Sequence, residues 1–97
     1  MTTAYLVVDI DVKDPGQYQA YVEQAPAFIA KHGGRYRVRG GDAEIVEGDW
    51  RPSRFVIVEF PSKTQARAFI EDPEYQKVAD IRRASTRSQF ILVDGVG

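Results

Sequence analysis

The chain has 97 residues, with 13 basic and 14 acidic side chains, a net charge of −1, one histidine and no cysteine. That length sets a single domain with a thin core, one that buries roughly 60–65% of the surface its unfolded chain exposes. Balanced charge excludes the basic footprint of a nucleic-acid or anionic-membrane binder. The lack of cysteine excludes disulfides, thiolate nucleophiles and cysteine-based metal sites.

No apolar run is long enough to span a bilayer, so no membrane partner is expected. The opening MTTAYLVVDIDV lacks a basic leader and reads as a strand rather than a signal peptide, which makes a cytoplasmic location the expectation. Tyr5 to Val12 alternates: Leu6, Val8 and Ile10 share one face, and Tyr5, Val7, Asp9 and Asp11 share the other. Both faces are partly apolar, as in a central strand covered on two sides.

Asp14-Pro15 opens a helix, with Asp14 as cap, Pro15 at the first helical position and Gln17 as the capping-box partner. Tyr18, Tyr21, Val22, Ala25, Ile29 and His32 form its apolar stripe, and Gly33-Gly34 stops it. Pro26 is expected to kink this helix or end it early. Arg35 to Arg39 is extended, with the arginines at 35, 37 and 39 on one face and Tyr36 and Val38 on the other.

Gly40-Gly41 has two readings. It is a two-residue hairpin turn before a strand at Ala43–Gly48, or a bulge in one long kinked strand. The turn at Asp49–Ser53 favours the kinked strand, because the element order is then β-α-β-β-α-β, the ferredoxin-like arrangement. Arg54 to Phe60 is a second strand with two apolar faces, ended by Pro61. Ser62-Lys63-Thr64-Gln65 caps a short helix, Asp72-Pro73 caps another with Tyr75, Val78, Ala79 and Arg82 on its inner face, and Gln89 to Val93 is the last strand.

The fold class expected is α+β: a four-stranded antiparallel sheet with its helices on one face, in one domain over residues 1–97. Those helices cannot cover both faces, yet both faces of three strands hold large apolar residues. A homodimer through the open sheet face is therefore expected.

Gly33-Gly34, Arg39-Gly40-Gly41, Glu47-Gly48, Glu59-Phe60-Pro61-Ser62, Pro73-Glu74-Tyr75 and Arg82, taken in order, resemble the family called domain of unknown function 1330. The resemblance covers nearly the whole chain. It implies membership of the dimeric α+β barrel superfamily, whose members pair sheet to sheet. Relatives there include cofactor-free monooxygenases, lactone isomerases and haem enzymes, but the family itself has no general reaction.

Nucleophilic catalysis has no support, since there is no cysteine and no Gly-x-Ser-x-Gly elbow. The His and carboxylate clusters of a zinc site are missing and His32 alone is a poor haem ligand, so no cofactor is expected. Six residues are ligand-binding candidates. Asp9 and Glu59 are carboxylates within apolar strands, which must be paired, protonated or beside a cavity; Glu47 follows the same logic if no bulge intervenes. Arg39 abuts two glycines where a ligand could approach the backbone. His32 ends the first helix, where a cation is favoured. Arg82 lies on the inner face with Tyr75, and either snorkels to water or pairs with Glu59 or Asp9 to frame a pocket. Trp50, in a turn, is expected to pack on the sheet edge or across the dimer. The functional expectation is a small-molecule-binding homodimer, with a cofactor-independent enzyme of monooxygenase or isomerase type as its catalytic form. The competing expectation is a non-catalytic dimerisation or accessory module.

Overall fold

Strict alternation of apolar residues makes β1 (Ala4–Val12), whose Leu6, Val8 and Ile10 are buried. In this computed structural model, which describes residues 2–97, the chain continues through α1 (Pro15–Lys31), β2 (Arg35–Arg39), β3 (Arg54–Phe60), α2 (Lys63–Glu71), α3 (Pro73–Ser85) and β4 (Thr86–Asp94). The four strands form one antiparallel sheet in the order β2-β3-β1-β4. This is the ferredoxin-like α+β fold.

The caps read from the sequence form. Asp14 accepts from the Gln17 N–H at 3.1 Å, and Ser62 Oγ accepts from the Gln65 N–H at 3.2 Å. Gly33, at φ +80°, ends α1: its N–H donates to the Ala30 carbonyl and that of Gly34 to the Ile29 carbonyl. This pair of bonds satisfies carbonyls that the helix end leaves open. Asp72 closes α2 and caps α3, accepting from the Glu74 N–H at 2.9 Å.

Pro26 does not end α1 early; the helix runs on to Lys31. The buried stripe of Tyr18, Tyr21, Ala25 and Ile29 lies on both sides of the proline. Packing along that stripe outweighs the one backbone hydrogen bond that a proline removes.

Neither reading of Gly40-Gly41 is what forms. β2 ends at Arg39, and Gly40 to Ser53 is an irregular, mostly exposed loop. The bulge lies earlier, inside β2. Tyr36 pairs with Val58 but Val38 pairs with Ile57, which leaves Arg37 as the extra residue. Beyond it the parity reverses. Val38 faces away from the helices, and Arg39, opposite Val56, turns to their side. The three arginines of β2 therefore do not share a face.

The core lies between the helices and one face of the sheet. Leu6, Val8, Ile10, Val56, Val58 and Phe60 from the strands meet Tyr18, Tyr21, Ala25, Ile29, Phe69, Tyr75 and Val78 from the helices. The other sheet face has no helix over it. Across it Val38, Ile57, Val7 and Ile91 stand in register, one from each strand. Ile91 is 61% exposed and Val93 45%. No helix among the described residues is long and apolar enough to cross a membrane.

Candidate functional site

The helix side of the sheet holds a cavity against α1. Its floor is Leu6, Val8, Ile10, Val56 and Val58, and its helical wall is Tyr18, Tyr21, Val22, Ala25 and Ile29. Phe69 of α2 and Phe90 of β4 also line it, with Tyr36 and Arg39 from β2 and Arg54 from the start of β3. The enclosed space is narrow, about 40 Å³, and it opens to solvent. Binding sites for small molecules have this character, apolar walls with a few convergent polar groups.

Two of the tyrosines there, Tyr21 and Tyr36, have hydroxyls that burial keeps neutral. Tyr21 Oη lies 2.8 Å from Tyr75 Oη, and burial together with that neighbouring phenol pushes the Tyr21 hydroxyl far above its ordinary range. Burial also raises Tyr36, against the opposing pull of Arg39, whose guanidinium carbon lies 4.5 Å from the centre of the Tyr36 ring. No carboxylate or imidazole lines this cavity. Its polar groups are the tyrosine hydroxyls and two guanidiniums, with no ordinary side-chain base among them.

A second, roomier recess beside it is lined by Phe69, Ile70, Tyr75, Gln76, Arg82, Arg83 and Phe90. Arg82 is buried here, 8% exposed. Its Nη1 donates to Ser88 Oγ at 2.8 Å, and its guanidinium lies 4.2 Å from the centre of the Phe90 ring. Arg82 and Tyr75 thus share the helix side of the sheet. Glu59 and Asp9 lie through the sheet on the open face, so the frame of Tyr75, Arg82 and a strand carboxylate does not form. Arg82 neither snorkels nor pairs with either acid.

On the open face Glu59 accepts from Tyr5 Oη at 3.2 Å and from Arg37 Nε at 3.2 Å, with Arg35 Nη2 at 3.5 Å. The Arg37 hydrogen bond is the chief reason its carboxyl is held below the usual glutamate range. Asp9 accepts from the Ser53 N–H at 2.9 Å and from Trp50 Nε1 at 3.3 Å. Trp50 packs edge-on against Phe55, 5.5 Å between ring centres. Asp9 thus ties the end of the long loop to the sheet. Glu47 lies in that loop and is exposed, because no strand forms there.

His32 stands at the end of α1, away from both recesses. Its Nε2 is 2.8 Å from Asp72 Oδ2, which also accepts from Lys31 Nζ at 2.9 Å. These two contacts, above all, hold the Asp72 carboxyl far below its ordinary range. Of the six sequence candidates, then, Arg39 reaches the cavity against α1 and Tyr75 and Arg82 the second recess. Glu59 and Asp9 face away, and His32 joins two helix ends. Arg54 was missed. Its signal is its parity: residue 54 shares a face with Val56, Val58 and Phe60, so an arginine there points to the apolar side.

Residues 3–96 match the family described as a domain of unknown function, number 1330. The chain belongs to that family. No curated protein matches it in sequence. Among solved structures it is similar to a protein of unknown function from Rhodopseudomonas palustris, with a TM-score of 0.79, 19% identity, and coverage of 99% of this chain and 84% of that one. It is also similar to SnoaB, a cofactor-independent oxygenase from Streptomyces nogalater, at TM-score 0.68 and 15% identity over 100% of this chain and 96% of that one. A dimeric ferredoxin-like protein of unknown function from Jannaschia sp. CCS1 is similar at TM-score 0.63 and 16% identity, covering 94% and 97%. At these identities the likeness shows the fold that this family member shares with them.

Proposed function

We propose that the chain is a homodimer, joined through the open face of its sheet, that binds a small and largely apolar molecule between α1 and the sheet. The cavity carries this reading: its walls are mostly apolar, burial keeps the Tyr21 and Tyr36 hydroxyls neutral, and Arg39 and Arg54 line it together. The row Val38, Ile57, Val7 and Ile91 supports the dimer. Covering apolar surface is worth about 25 cal/mol per Å², and a two-fold partner covers what all four leave exposed at once. The Jannaschia relative, described as dimeric, supports the same assembly.

The likeness to a cofactor-independent oxygenase makes an oxygenase activity the catalytic form of this reading. Since the wall offers no carboxylate or imidazole, such a reaction would use a substrate that is itself readily ionised. The Tyr and Phe side chains that narrow the cavity favour the second reading, a dimerisation module without chemistry.

Native mass spectrometry of freshly purified protein, followed by the same sample denatured, tests the proposal. The expected result is a dimer carrying extra mass that denaturation releases. A monomer at micromolar concentration overturns the assembly. A bare dimer, with cavity resonances that no small apolar compound moves, overturns the binding reading and leaves the accessory module.

A further inference from the structure

We infer that the cavity selects an anion, a small carboxylate on an apolar body, through Arg39 and Arg54 at its mouth. The inference rests on the cavity reading above and names the class of ligand. Arg54 opens β3 opposite Ile10, on the side of Val56, Val58 and Phe60. Arg39 ends β2 opposite Val56, one diagonal step from Arg54 on the same face. Both line the cavity.

Neither guanidinium makes an ion pair or a side-chain hydrogen bond among the described residues. Arg35, Arg37 and Arg83 all do. The acids of the adjoining loop, Asp42, Glu44, Glu47 and Asp49, come to neither. Arg54 Nε is buried with no partner at all. A charged donor taken from water without a replacement is costly, and a ligand oxygen is the replacement this site has room for.

The surroundings hold the two forks at the mouth. Arg39 stacks over Tyr36. Gly40, at φ +70°, lets Arg54 fold across it, since a Cβ there would stand 2.6 Å from Arg54 Nη1. The Gly40 N–H donates to the Phe55 carbonyl at 2.7 Å and fixes the strand end. Two planar guanidiniums match the geometry of a carboxylate, which accepts paired N–H donors. Behind them Leu6, Val8, Ala25, Ile29 and Phe69 offer only apolar surface, which suits the hydrocarbon part of the same molecule.

The test titrates isotope-labelled protein with phenylacetate and hexanoate, with their amides phenylacetamide and hexanamide, and with inorganic phosphate, following backbone and arginine resonances. Carboxylates are expected to shift Arg39, Arg54 and the cavity strands, and to bind about tenfold or more tightly than their amides. Arg54→Gln and Arg39→Gln are expected to abolish that preference, and Arg54→Lys to restore part of it. Equal binding of acid and amide overturns the anion inference and leaves the cavity reading standing. No binding by either series overturns both. Phosphate binding as well as the carboxylates shows a site that reads charge alone, which also overturns the inference. Should Arg54→Gln fail to fold, Arg39→Gln, exposed at a strand end, gives the same readout.

Discussion

His32 Nε2 lies 2.8 Å from Asp72 Oδ2 and so joins the end of α1 to the junction of α2 and α3. Asp72 is buried, and its other oxygen caps α3 through the Glu74 N–H. One side chain therefore serves a helix start, an imidazole and, at 2.9 Å, the Lys31 ammonium. Asp72→Ala is expected to lower the Tm by several degrees, because it removes a cap and leaves those partners without their acceptor. Asp72→Asn keeps the capping oxygen and is expected to fall between. Thermal unfolding of the three proteins at pH 7 checks the order.

Acid should weaken the fold through two carboxyls, Asp72 and Glu59. Both are held below their ordinary values in the folded chain, Asp72 chiefly by its hydrogen bonds with His32 and Lys31, and Glu59 by that with Arg37. A depressed folded pKa means that the unfolded chain takes up protons first as pH falls. Their contribution is complete above the unfolded values, about 3.9 for Asp and 4.3 for Glu, and drains away as pH drops from there toward each folded pKa. Denaturant unfolding from pH 6 down to pH 3 should show stability falling below about pH 4.5. Asp72→Ala should give a shallower slope, and an unchanged slope would contradict the role given to this carboxyl.

Arg82 is a buried cation that meets Ser88 and two aromatic rings but no carboxylate. Its Nε has no partner. Arg82→Met keeps most of the packing and removes a desolvated charge, so its stability is expected to stay within about 1 kcal/mol of the parent. Arg82→Ala opens a hole beside Phe90 and Tyr21 and is expected to cost about 2 kcal/mol. Urea unfolding separates the two outcomes. A large loss for the methionine variant would show that the charge itself holds α3 to β4.

Ile91→Asp places a charge at the β4 end of the row on the open face. The side chain is largely exposed in one copy of the chain, so the fold is expected to survive with little change in circular dichroism. Sedimentation velocity should then show the variant as a monomer at a concentration where the parent is a dimer. A variant that stays dimeric would move the interface off this face.

Much of this architecture was legible from local signals. The alternation of Ala4–Val12 and Arg54–Phe60, the caps at Asp14, Ser62 and Asp72, and the Gly33-Gly34 stop are each set within a few residues. Propensity, periodicity and capping act over that range, so those residues could announce their elements unaided. The two-faced strands likewise announced an uncovered sheet. The loop from Gly40 to Ser53 was not legible, because the short apolar stretch around Ile45 looks like a strand until it has no neighbour to pair with.

What the amino-acid order determined by itself was therefore the elements, their succession and the apolar excess on the sheet. Only the tertiary structure decided which side chains meet. The bulge at Arg37 belongs to the pairing of β2 with β3, and one extra residue there sends Val38 to the open face and Arg39 to the cavity. The same pairing sets Arg54 beside Arg39 and leaves Glu59 and Asp9 on the far side of the sheet from Arg82. Side-chain parity in a sheet is fixed by register between strands distant in sequence, and a shift of one residue reverses it.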